Sequence, residues 1–165
     1  MYDAIIVGVR CAGSPTAMLL ARKGYRVLLI DKATFPSDTM SAHFIRTPGV
    51  AQLKRWGVLN KIITSKCPPI PTMTIDLGPF ALHGMSPSVE KVATAYAPRR
   101  SILDKILVDA AVEAGVGVRE GFFVEEILRI AAYFAGDSKV DYRLLRVALV
   151  SYNQEDDEKG FWSEY

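Results

Sequence analysis

The sequence predicts an α/β fold with a parallel sheet at its core, and three features carry that expectation. Two short apolar runs, Ala4-Ile5-Ile6-Val7 and Val27-Leu28-Leu29-Ile30, have the continuity of strands buried on both faces. Between them, Ser14 to Lys23 places Ala17, Met18, Leu20 and Ala21 at helical spacing, with Pro15 tolerated in the first turn and Gly24 where a C-terminal cap belongs. A glycine turn, Gly8-Val9-Arg10-Cys11-Ala12-Gly13, joins the first run to the helix. Two buried strands connected through one helix must run parallel, with a right-handed crossover.

Beyond this unit, residues 33–47 read as a loop rich in Ser, Thr and Pro. Pro48 to Trp56 reads as a short helix stopped at Gly57, with Leu59 to Thr64 continuing it after a turn. Cys67-Pro68-Pro69-Ile70-Pro71 is expected to be irregular, because three prolines remove donors and fix φ. Thr72 to Leu77 alternates as a strand does, Gly78-Pro79 marks a turn, and Phe80 to His83 can pair back across it. Arg100 to Ala114 is a helix with Leu103, Ile106, Leu107, Ala110 and Ala111 as its apolar stripe, ended by Gly115. Val116 to Arg119 and Phe123 to Leu128 read as strands.

Composition narrows the functional classes. The 165 residues are 50% hydrophobic and 23% charged, the balance of a globular domain with a real core. A formal net charge of +2 gives no reason to expect a nucleic-acid partner. The longest apolar runs fall far short of the roughly 20 residues of a membrane helix, and no basic leader precedes them, so a cytoplasmic location is expected. Cys11 and Cys67 have neither metal-ligand spacing nor a disulfide framework around them; both read as small free thiols, and no metal site is expected.

The glycine turn carries the chemistry. Gly8 leaves the strand and permits a tight turn, and Gly13 lets the helix pack close to the sheet. The helix N-terminus then presents free N–H groups and the positive end of its dipole to a pyrophosphate. Asp31 closes the second strand, at the distance from the turn where the Rossmann fingerprint places an acid for ribose hydroxyls. An acid there disfavours a 2′-phosphate, so FAD or NAD is preferred to NADP. Arg10 breaks the pattern, since a second glycine normally lets backbone approach the pyrophosphate. Either its side chain turns away, or its guanidinium pairs with phosphate oxygens.

Asp3-Ala4-Ile5-Ile6-Val7-Gly8, the turn Ala12-Gly13-Ser14 and Val27-Leu28-Leu29-Ile30-Asp31-Lys32 resemble the N-terminus of two related flavoprotein groups. These are the p-hydroxybenzoate-hydroxylase-like FAD monooxygenases and the geranylgeranyl-reductase-like oxidoreductases, a subgroup of which has arginine at the position of Arg10. Phe35-Pro36-Ser37-Asp38-Thr39-Met40-Ser41 with His43 is similar to that subgroup's loop after the second strand, and Gly49-Val50 through Leu53, Trp56 and Gly57 to its next helix. Arg100, followed by Leu103, Asp104 and Leu107, resembles the families' Arg-x-x-Leu helix, whose arginine lies near the FAD. The resemblance implies an FAD-binding part over residues 1–128. It implies cofactor contacts from Gly8, Arg10, Ala12, Gly13, Asp31, Lys32, Arg46 and Arg100, with NAD(P)H as co-substrate and a small organic substrate. In the monooxygenase branch reduced flavin uses oxygen to oxidise that substrate; in the reductase branch it delivers hydride to a double bond. Because the cofactor performs the hard step, no catalytic acid, base or nucleophile is nominated.

Two histidines lie in these regions. His43 either faces flavin or substrate or is a solvated loop residue; Arg46 either reaches a cofactor phosphate or ribose or is likewise solvated; His83, beside a turn, reads as a surface residue. After Leu128 the resemblance ends, and residues 129–165 form a divergent tail with an acidic run, Gln154 to Lys159. Gly136-Asp137 reads as a hairpin turn between Ile130–Phe134 and Tyr142–Val150, or as a displaced form of the families' Gly-Asp flavin motif. The chain alone is expected to be catalytically incomplete. Its oligomeric state is left open, as is the choice among fragment, divergent reading frame and stand-alone module. An NAD-dependent dehydrogenase domain is the rival enzyme, disfavoured because short βα units do not follow Asp31. A remnant that binds nothing is the rival without activity.

Overall fold

The computed structural model describes residues 2–41, 43–129 and 145–151. The expected βαβ opening is present: β1 (Ala4–Val7), α1 (Gly13–Arg22) and β2 (Val27–Asp31). There follow α2 (Thr47–Arg55), α3 (Leu59–Thr64), β3 (Pro69–Ile70), β4 (Thr72–Asp76), β5 (Ala81–Met85) and β6 (Ala95–Tyr96). The chain continues through α4 (Arg100–Glu113), β7 (Gly117–Glu120), β8 (Phe122–Arg129) and β9 (Leu145–Ser151).

A three-stranded parallel sheet in the order β1-β2-β7 organises the fold. Ala4 aligns with Val27 and Val7 with Ile30, while Leu28 aligns with Gly117 and Asp31 with Glu120. The central strand behaves as its sequence promised, with Val27, Leu28, Leu29 and Ile30 all buried. The outer strand does not. β1 is half-buried and Val7 is exposed, because in this order the strand forms an edge of the sheet. An apolar run records what a strand is able to bury, not which neighbours arrive.

Helices α1 and α4 pack on each other, and α1 also lies on β1 and β2. The shared core contains Val9, Ala17, Met18, Leu29, Leu103, Leu107, Val108, Ala111 and Val116. Each fully buried side chain of the Leu or Met class contributes about 1.5–3 kcal/mol of apolar transfer energy. Val50, Leu53, Val58 and Ile62 extend this core under α2 and α3, which are two helices separated by a turn. Asp3 fastens the start of the sheet: its Oδ2 accepts from the backbone N–H and Nε of Arg26, at 2.8 and 3.0 Å. That pairing, chiefly the side-chain hydrogen bond, holds the Asp3 carboxyl below the usual carboxylate range.

The proline-rich stretch departs from its expectation of irregularity. Pro69–Ile70 pairs antiparallel with Ala95–Tyr96, a strand unmarked by any pattern in the sequence. Two residues at a sheet edge tolerate proline because the missing donor need not face a partner. The β4–β5 hairpin forms around Gly78-Pro79 as expected, with Thr74 opposite His83 and Ile75 opposite Leu82. Strand β9 pairs antiparallel with β8, Ile127 opposite Val147. The expected partner strand Ile130–Phe134 and the Gly136-Asp137 turn lie outside the described residues.

Candidate functional site

Strand β1 ends at Val7, and the chain turns at Gly8 with φ +102°, a left-handed value that L side chains rarely adopt. The turn is tied back to β2 by the Gly8 N–H, which donates to the Ile30 carbonyl at 2.8 Å. Helix α1 begins at Gly13, and here the closeness is extreme. A Cβ on Gly13 would sit 1.7 Å from the Gly8 carbonyl oxygen. Glycine at this position is required by the approach of helix to strand. The first turn of α1 carries no acidic residue and no side-chain cap; the Ser14 N–H donates to the Arg10 carbonyl at 3.1 Å and Pro15 has no N–H, so the Gly13 N–H and the positive end of the helix dipole remain for a ligand. Ser14, fully buried in that turn, has an Oγ without a hydrogen-bond partner among the described residues. A close glycine cradle, an uncapped helix start and an orphaned hydroxyl suit an anionic group such as a pyrophosphate.

Asp31 lies at the end of β2, beside the turn. Its Oδ2 accepts from the Val9 N–H at 2.7 Å and its Oδ1 from the Ala33 N–H at 2.9 Å. The carboxylate therefore holds both the glycine turn and the start of the following loop. Each oxygen keeps a further lone pair with which a ribose hydroxyl can bond. Lys32, next in sequence, is exposed, as is Ala12 at the start of α1.

Arg10 takes the place of the second glycine, and its side chain is engaged within the protein. Nη1 donates to Asp104 Oδ2 and Nη2 to Ser37 Oγ, both at 2.8 Å, and the guanidinium lies 5.3 Å from the centre of the Phe35 ring. Asp104 sits in α4, fully buried, and also accepts at Oδ1 from Arg100 Nε at 3.0 Å and from the Cys11 thiol at 3.3 Å. For Arg100 burial opposes the charged form, but the Asp104 hydrogen bond and nearby negative charge outweigh it and raise the guanidinium pKa. Cys11 is exposed as a residue, yet its sulfur turns toward Asp104. Partial burial, and then the neighbouring carboxylate, push the thiol up. Arg99 donates to Asp38 at 2.8 Å, which lowers the Asp38 carboxyl and ties the loop after β2 to the start of α4.

The structure thus gathers Gly8, Arg10, Ala12, Gly13, Asp31 and Arg100 around one turn. Arg46 is exposed, opens α2 with extended backbone, and lines a recess of about 190 Å³ with Met73, Ile75 and Leu82. His43 takes φ +54°, and its Nδ1 is buried without a hydrogen-bond partner among the described residues. His83 is exposed on the hairpin, its Nδ1 2.7 Å from Thr74 Oγ1. The sequence reading gave no role to Asp104, Ser37 or Phe35. Only the i,i+4 spacing of Arg100 and Asp104 was available as a signal for the first. Among the described residues no group of His, Cys, Asp and Glu side chains could hold a metal ion, and no helix is long and apolar enough to cross a membrane.

A family model described as FAD binding domain matches residues 1–130. The chain belongs to that family. This FAD-binding domain is 28% identical over 147 residues to the squalene monooxygenase of Candida glabrata, covering 79% of the chain and 29% of that protein. It is 30% identical over 141 residues to protein FixC of Salmonella typhimurium, covering 78% of the chain and 31% of FixC. Among solved structures, the myxobacterial FAD-dependent halogenase CndH superposes with a TM-score of 0.69 at 20% identity, over 92% of the chain and 35% of that structure. That likeness concerns the fold. The chain spans about a third of the length of these relatives. FAD is the cofactor of the family, and the cradle at Gly8 and Gly13 fits it.

Proposed function

We propose that this FAD-binding domain serves a flavin-dependent monooxygenase that oxidises a small organic substrate with NAD(P)H and oxygen. The observation that carries the cofactor half of this reading is the 1.7 Å approach a Gly13 Cβ would make to the Gly8 carbonyl, at the start of an uncapped helix. No side chain fits there, so the helix start is held against the glycine turn, where its dipole can meet a pyrophosphate. The monooxygenase half is supported by the squalene monooxygenase relative. FAD, when bound, would supply two-electron redox chemistry between NAD(P)H and oxygen, with one oxygen atom entering the substrate and the other leaving as water.

The chain's own residues bind and orient. Gly8 and Gly13 shape the turn, and the N–H groups of Ala12 and Gly13 meet the pyrophosphate. Asp31 fixes the turn and offers its remaining lone pairs to a ribose. Arg100 supplies positive charge beside the turn, while Lys32 and Arg46 are more peripheral candidates. The domain extends to about residue 128 in this reading, which the family match over 1–130 supports, and residues 129–165 are a divergent tail whose strand β9 pairs with β8. Two free cysteines fit a reducing, cytoplasmic setting.

Titration of the purified chain with FAD, followed by flavin absorbance and fluorescence, tests the cofactor assignment. Saturable binding that leaves the protein yellow is expected, and a folded protein that never takes up flavin would overturn it. Oxygen uptake by the complete enzyme, driven by NAD(P)H, tests the activity. Flavin reduction without oxygen uptake would instead favour a double-bond reductase.

A further inference from the structure

Asp104 is a fully buried carboxylate with donors on both oxygens, and those donors come from separate parts of the chain. Oδ2 takes Arg10 Nη1, from the glycine turn; Oδ1 takes the Cys11 thiol, from the same turn, and Arg100 Nε, from its own helix. The second arm of Arg10 is bonded to Ser37, and its face lies over Phe35, both in the loop after β2. One guanidinium therefore joins the turn, α4 and that loop. An arginine bonded through both terminal nitrogens and stacked on a ring is no longer free to follow a ligand. Swinging it onto a phosphate would strip a donor from a buried carboxylate, the costly way to break an ion pair. Arg100 differs: its Nε alone is bonded, and Nη1 and Nη2 have no partner among the described residues. Because Arg100 Nε and the Cys11 sulfur share one oxygen, that second guanidinium stands beside the turn.

Resting on the FAD assignment above, we propose that Asp104 is a positioning residue for cofactor binding. It holds Arg10 away from the phosphates as a strut that fixes the glycine turn. The arginine in place of the second glycine thus acts through the protein and not as a phosphate ligand. The turn loses the freedom a glycine would give it and is braced from α4 instead.

FAD titrations at several salt concentrations test this, on the full chain, at a temperature where circular dichroism shows each apo variant folded. Arg10→Gln and Asp104→Asn should each raise the FAD Kd on the order of tenfold, and the double variant should be no weaker than the worse single. The salt dependence of Arg10→Gln should match that of wild type, because no charge facing a phosphate is lost, whereas Arg100→Gln should flatten it. Arg10→Lys should not restore binding, since an ammonium cannot bridge Asp104 and Ser37 while stacking on Phe35.

A flattened salt response in Arg10→Gln, additive losses in the double variant, or rescue by Arg10→Lys would make Arg10 a direct phosphate ligand and overturn the proposal. Wild-type affinity in a folded Asp104→Asn would also overturn it. If Asp104→Asn does not fold, Ser37→Ala releases the other arm of Arg10 while leaving the buried carboxylate paired. It should weaken FAD severalfold in wild type and not at all when added to Arg10→Gln; independence of the two would overturn the strut. A wild type that takes no flavin defeats the FAD assignment itself, whereas flavin binding indifferent to these variants defeats only the role of Asp104.

Discussion

Replacing Gly13 by alanine puts the glycine cradle to its most direct test. The new Cβ would lie 1.7 Å from the Gly8 carbonyl oxygen, 2.9 Å from its carbon and 3.3 Å from Ile6 Cγ2. Real contacts of this kind do not close below 3.0 Å, so helix and turn must separate by about 1.3 Å. The two nearest of these atoms are backbone and cannot rotate aside. Overpacking of this severity costs about 1–3 kcal/mol. If the separation also breaks the Gly8 N–H bond to Ile30, about 0.5–1.5 kcal/mol more is lost. Helix propensity returns at most about 1 kcal/mol, and less at a first helical position. At the middle of these ranges the net loss, about 2.5 kcal/mol, is a large part of the roughly 5–15 kcal/mol that stabilises a domain. Urea unfolding measures it, and FAD titration should show binding weakened at least tenfold in the fraction still folded. Gly8→Ala is the control: nothing lies within 4 Å of its Cβ, so only the strain of φ +102° is felt, about 1–3 kcal/mol. Gly13→Ala with wild-type stability and wild-type affinity would refute the reasoning.

Asp31→Ala removes the acceptor from the Val9 and Ala33 N–H groups and should lower stability by about 1–3 kcal/mol while weakening FAD binding. Unchanged urea midpoint and affinity in this variant would count against both roles. Acid should destabilise the fold. Asp3, Asp38 and Glu90 are all held below the ordinary carboxylate value, first by hydrogen bonds from Arg26, Arg99 and Arg55. A carboxyl lowered in the folded state contributes stability above its unfolded pKa, about 4, and that contribution fades as pH falls through the folded value. The urea midpoint should therefore be level from pH 7 to 5 through these groups and fall below about pH 4, modestly because all three are exposed, and less in high salt. A midpoint that rises on acidification below pH 4 would show the pairs to be unimportant.

The sequence by itself determined the βαβ opening, the place of the glycine turn and the acid that closes β2. These are local matters: strand and helix periods, the backbone demands of a tight turn, and a spacing set by the length of one helix. It also marked α4 and the β4–β5 hairpin, through an apolar stripe and a Gly-Pro turn. What it could not determine depends on which distant segments meet. β1 reads as fully buried but lies at the edge of a three-stranded sheet, because burial of a strand depends on neighbours that its own residues do not encode. Pro69–Ile70 became a strand only because Ala95–Tyr96 lies alongside it. Arg10 is the clearest case. Sequence showed that a glycine was missing and left two directions for the side chain; the fold supplied Asp104, ninety-four residues away, and Ser37 as its partners. A buried carboxylate requires donors, and only tertiary structure decides which arginines stand close enough to serve it.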